Sequence, residues 1–211
     1  MPRVALIEEE EHPELAGLIA TIKSERGGKL LHLYRALLNS PPLAEGWLKL
    51  FTAIRQKAKV AGRYRELATL RVALLNGAEY EYRAHVPFAL ADGVSQEQID
   101  ALPGWQVSKS FDDRERAVLA YTDCMTRGIR VPDPIYAEVR RHFDDREVVE
   151  LTATIAGYNL VSRFLVAMQL DYEGRSLRTA KSGGIKSSRS VKIASIPQEN
   201  KRRAVAGSLT V

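Results

Sequence analysis

The sequence predicts an all-α protein, a bundle of several helices. Apolar residues recur every three or four positions through most of residues 1–173, the period of a helix with one buried face. Helix-start and helix-stop residues punctuate these stripes. No segment alternates apolar and polar residues for more than about four positions, as a half-buried strand would.

The elements follow in order. Pro13 suits a first helical position, and Leu15, Leu18, Ile19 and Ile22 continue the stripe until Gly27-Gly28 breaks it. Leu30, Leu31, Tyr34, Leu37 and Leu38 form the next, ended by Asn39-Ser40-Pro41-Pro42. Trp47, Leu50, Phe51 and Ile54 form a third. A helix over 64–75 carries Leu67, Leu70, Leu74 and Leu75, and Asn76-Gly77 stops it because Gly tolerates the left-handed turn that closes a helix. Another starts near Ala78 or Glu79, carries Tyr82, Val86 and Leu90, and ends at Gly93. Three capping boxes open later helices: Ser95 with Gln98, Asp112 with Glu115, and Asp144 with Glu147. Asp133-Pro134 reads as an N-cap followed by proline at the first helical position. The last helix is expected to reach about residue 170.

With 211 residues, 45% of them hydrophobic, the chain is long enough for one full core. No run of 18 apolar residues and no signal-peptide core are visible, so a soluble cytoplasmic protein is expected. The net charge of +5 is unevenly spread. Residues 174–211 hold nine Lys or Arg and one acid, Glu199, which leaves 22 basic and 25 acidic residues in 1–173. Two segments result: a helical domain over 1–173, with its core at 47–125, and a basic tail over 174–211. The tail is rich in Ser, Gly and Lys/Arg and is expected to be disordered. It lacks the aromatics that single-strand binders use for stacking, so a solvated tail is the preferred reading and no nucleic-acid partner is expected.

The densest set of ionisable residues at helical spacing lies in 63–102. Glu81 and His85 are four apart, which puts their side chains on one helix face. Glu66 lies on the preceding helix. This stretch resembles the carboxymuconolactone decarboxylase and AhpD-like superfamily. Its peroxidase branch carries a Glu, a C-x-x-C twelve residues on, and a His four residues after the second Cys. Glu66 and His85 match the Glu and the His; Ala78 and Glu81 stand where the cysteines would be. The resemblance is close over 63–102, looser over 111–172, and implies an AhpD-like multi-helix bundle.

Dithiol peroxidase chemistry needs two thiols within bonding reach. The one cysteine, Cys124, supplies neither position and reads as a small buried apolar residue. The resemblance then points to the decarboxylase branch, which acts on a carboxylated lactone, 4-carboxymuconolactone, without cysteines. Loss of CO2 there needs an electron sink, which the conjugated lactone carbonyl provides, and an acid to protonate carbon. No metal or organic cofactor is required. His85 is the candidate acid, since imidazole titrates near neutrality. Glu81 could orient the ring, and Glu66 could complete a relay. Arg71, and with less support Arg83 and Arg163, are candidates for the substrate carboxylate, because guanidinium grips carboxylate in a fork. Tyr80, Tyr82 and Trp47 are candidates for the lining.

Plainer readings stand beside these. Glu81–His85 and Glu79–Arg83 both have the spacing of surface pairs, and Glu66 could merely complement the helix dipole. His12, His32 and His142 fit no constellation and read as structural. E-x-x-x-H at 81–85 lacks the second His of a zinc-protease helix, so no metal is expected. Rival classes are a peroxidase using Cys124 alone and a non-catalytic family member that binds a small ligand. Partners expected from the resemblance are a small carboxylated substrate and other copies of the chain, as a trimer or hexamer; no membrane partner is expected.

Overall fold

The computed structural model describes residues 1–172. Within them the chain is helical and strand-free: α1 Ala16–Glu25, α2 His32–Leu37, α3 Pro41–Gln56, α4 Gly62–Asn76, α5 Glu79–Ala91, α6 Gln96–Ala101, α7 Asp113–Arg127, α8 Asp133–His142 and α9 Asp145–Met168. Short 3₁₀ turns precede α1 and follow α6. The basic segment 174–211, with the disorder expected of it, lies outside the described residues.

Helix α4 is the axis of the bundle. From Glu66 to Ala73 every residue is buried, including one Glu, one Thr and one Arg. A helix buried all round sits at the centre of a protein, and α4 packs against α5, α7 and α9. Its Ala68 and Val72 join a large core with α1, α2, α3 and α9. Its Leu67 and Leu70 join a smaller one with Ile99, Leu102, Trp105 and Phe111. Helix α9 is long and apolar enough to cross a membrane by length and composition, although polar residues interrupt its apolar run. Here it is a core helix, with ten buried residues from Val148 to Leu165.

The local signals hold. All three capping boxes form, each with the N-cap side chain and the third-residue side chain bonded reciprocally. Gly77 closes α4 at φ 64°, a left-handed conformation in which a Cβ is penalised. The caps of α6 and α7 are also tied to each other. Gln98 Nε2 donates to Glu115 Oε2 at 2.8 Å, and Arg63 from α4 pairs with the same buried Glu115.

Two boundaries differ from expectation. The break after the second stripe forms at residues 38–40, but Pro41 and Pro42 already belong to the first turn of α3, where a missing N–H costs nothing. Asp133 lies inside α8, and Pro132 takes the N-cap position.

Candidate functional site

Helices α3, α5 and α9 and the α1–α2 connection line an open cavity of about 850 Å³. Three residues of α5 at successive turns line it: Glu81, His85 and Phe88. From α3 come Trp47, Phe51 and Arg55, spaced four apart on one face, and from α9 Tyr158, Val161 and Leu165. Pro87 sits inside α5 two residues past His85 and removes one helical hydrogen bond there.

His85 is 7% exposed and Glu66 is 2% exposed. Their side chains meet at 2.7 Å, His85 Nδ1 to Glu66 Oε2. Burial alone would raise the Glu66 carboxyl. The hydrogen bond from His85 and the positive charge of His85, Arg65 and Arg55 outweigh it and hold the carboxyl below its usual range. Glu66 is therefore an ionised acceptor, and Nδ1 carries the proton it accepts. That leaves Nε2 as the ring nitrogen open to a reacting group; it has no partner among the described residues. Tyr158 packs edge-on to the imidazole, with ring centroids 4.8 Å apart, and burial keeps its phenol protonated.

Glu81 occupies a different environment. It is 2% exposed, its Oε2 accepts a hydrogen bond from Ser162 Oγ, and its Oε1 has no hydrogen-bond partner among the described residues. Burial pushes its carboxyl up to about 8, against a smaller opposing effect from Ser162. Near neutral pH one carboxyl of the site is thus ionised and the other largely protonated. Separated acid and base of this kind are what proton transfer at carbon requires.

Several sequence-based assignments change. The carboxylate that orients His85 is Glu66 rather than Glu81, which bonds to α9 instead. Arg71 is no substrate anchor: its guanidinium grips Asp123 through Nε at 2.5 Å and Nη2 at 2.8 Å and donates to the Leu102 carbonyl. Arg83 is exposed and pairs with Glu79, and Arg163 bonds to Asn159. Tyr82 packs against the smaller core, away from the cavity, whereas Trp47 and Tyr80 do line it. Cys124 is half-buried on α7 rather than fully buried, and it does not line the cavity.

The sequence reading missed Arg55, Tyr158 and Ser162. Arg55 is half-buried, lies 4.8 Å from the centroid of the Phe88 ring, and has no carboxylate within ion-pair distance among the described residues. Its signal was the Trp47–Phe51–Arg55 spacing on α3, which places a cation at the end of an aromatic stripe. Among the described residues, no three His, Cys, Asp or Glu side chains gather where they could hold a metal ion.

Comparison with known proteins bears on the family and the fold. Residues 41–123 match the profile of the Carboxymuconolactone decarboxylase family. The chain is 31% identical to the uncharacterized protein YdfG of Bacillus subtilis over 106 residues, 49% of this chain and 72% of that one. It is 28% identical to the uncharacterized protein YnjA of Escherichia coli over 130 residues, 61% of this chain and 69% of that one. A protein of unknown function from Agrobacterium tumefaciens superposes with a TM-score of 0.61 at 26% identity, over 64% of this chain and 94% of that one. An uncharacterized peroxidase-related protein of Ralstonia eutropha, with an alkylhydroperoxidase AhpD core, superposes with a TM-score of 0.70 at 15% identity, over 82% and 92%. The debrominase Bmp8, solved with 2,3,4-tribromopyrrole, gives 0.69 at 19% identity, over 82% and 94%. Profile, relative and fold agree, and the chain belongs to the carboxymuconolactone decarboxylase family, with the AhpD-like helical fold.

Proposed function

We propose that the protein is a cofactor-free enzyme that moves a proton at carbon in a small carboxylated, enolisable substrate. The decarboxylation of a carboxylated lactone is the leading reaction. The observation that carries this reading is the buried Glu66–His85 pair, whose imidazole lines one cavity together with a neutral Glu81. In the decarboxylation, the bond to the departing carboxylate breaks and its electron pair moves into the conjugated lactone carbonyl. CO2 leaves, and His85 Nε2–H protonates the resulting enolate at carbon. The ionised Glu66 supports the imidazolium, and solvent restores the proton.

Glu81 and Tyr158 are donors suited to the developing enolate oxygen, where fixed donors lower the barrier most. Arg55 suits a carboxylate that stays. A cation on the one that leaves would stabilise the ground state and oppose its loss. That Bmp8 holds a small halogenated ring on the same fold is consistent with small-molecule chemistry in this cavity. Peroxidase chemistry of the dithiol kind is disfavoured, because Ala78 and Glu81 stand at the cysteine positions. We also propose a homo-oligomer, consistent with the exposed Val149, Leu160 and Val166 on α9; a light-scattering mass of a single chain would reject it.

The test is CO2 release from 4-carboxymuconolactone generated in situ, and proton exchange with related carboxylated lactones, beside His85→Gln. Turnover that falls by about a hundredfold or more in His85→Gln, with the helical circular dichroism unchanged, is expected. Turnover that survives the substitution, or none with any enolisable acid, rejects the reading.

A further inference from the structure

We propose that the ligand of this cavity is a rigid aromatic or conjugated carboxylate with more than one ring, its carboxylate held by Arg55. The assignment rests on the cavity being the substrate site. Three observations carry it.

The first is size. A cavity of about 850 Å³ lies toward the upper end of the roughly 300–1,000 Å³ found for sites that enclose drug-sized ligands. A single-ring lactone would leave much of it to water.

The second is the wall. Seven of the chain's 15 aromatic residues line this one cavity. Four of them, with His85, form a continuous run of rings: Trp47 to Phe51 at 5.2 Å, Phe51 to Tyr158 at 5.6 Å, Tyr158 to His85 at 4.8 Å and His85 to Phe88 at 5.8 Å. All four pairs are tilted or edge-on, so the run is a corrugated aromatic surface that includes the proposed acid. Such a wall favours a flat ring system, which packs against it with little loss of internal freedom, over a flexible chain of similar carbon count.

The third is the polar complement. Arg55 stands at the Phe88 end of the run with no carboxylate within ion-pair distance among the described residues, its charge reaching Glu66 only from farther away. The buried Oε1 of Glu81 lacks a hydrogen-bond partner among the described residues. A buried polar atom without a partner is costly unless something fills the role. A ligand with an anionic group for Arg55 and a carbonyl or hydroxyl for Glu81 would satisfy both.

The experiment is calorimetric binding to the 211-residue His85→Gln protein, in which catalysis is switched off and the cavity kept. Four probes are compared: 2-naphthoate, benzoate, octanoate and the neutral 2-naphthamide. The expected result is 2-naphthoate about tenfold or more tighter than each of the others. Arg55→Met should remove the advantage over 2-naphthamide while 2-naphthamide binding persists, and Arg55→Lys should restore part of it. Octanoate or benzoate matching 2-naphthoate would overturn the multi-ring assignment. Equal binding of acid and amide would overturn the Arg55 assignment even if the Arg55 variants fail to fold. Binding of no probe would overturn both. A reversed ranking alongside His85-dependent turnover sinks this inference alone. The expected ranking without any turnover sinks the acid–base reading alone.

Discussion

Glu81→Gln should make the folded protein less sensitive to pH. In the folded chain burial raises this carboxyl from 4.5 to about 8. For an acid whose folded value is raised, the native state suffers no penalty below about pH 4.5, where both states bind the proton. As pH rises the unfolded chain ionises and the folded one does not, so stability falls until the folded group titrates near pH 8, and is level above. The gap of roughly 3.5 units corresponds to at most about 5 kcal/mol. Glutamine keeps the shape and can still accept from Ser162, but it does not titrate. Urea unfolding at one protein concentration, from about pH 5.5 to about pH 7.5, should therefore show the variant gaining about 3 kcal/mol on the parent, near 1.4 per pH unit. Parallel curves would refute the reasoning: they would mean that the folded carboxyl is already ionised in this range, solvated by water or paired.

Three further outcomes are expected. Ser162→Ala removes the hydrogen bond to Glu81 that opposes the upward shift, so the high-pH limb of the activity profile should move to higher pH. Arg71→Met leaves Asp123 without its two-pronged partner and should cost about 3 kcal/mol in chemical denaturation, while turnover per folded molecule stays intact. Gly77→Ala forces a Cβ onto φ 64° and should lower stability by about 1 kcal/mol, read as a shift of the denaturant midpoint with an unchanged slope.

Much of the fold was legible because its signals are local. Ser95–Gln98, Asp112–Glu115 and Asp144–Glu147 bond within three residues of each other, so sequence spacing decides the geometry. Pro41-Pro42 was misread because proline both stops one helix and starts the next, and only tertiary packing chooses. At the site, helical spacing and resemblance together picked out Glu66, Glu81 and His85, all of which proved buried. Which carboxylate meets the imidazole was not legible, since that depends on how α4 and α5 pack. Arg71 misled for a similar reason: its partner lies 52 positions away on α7. Arg55, Tyr158 and Ser162 lie on α3 and α9, and nothing in the sequence near His85 points to them.

The bond between Gln98 and Glu115 has a consequence for how the molecule opens. Each residue is the returning half of one helix cap, and each is also the other's partner. Opening the first turn of α6 therefore strips a bond from the start of α7, and Arg63 carries the disturbance to α4. The amide protons at these two helix starts should exchange with solvent as one cooperative unit, at a shared free energy, instead of fraying independently as exposed helix ends do.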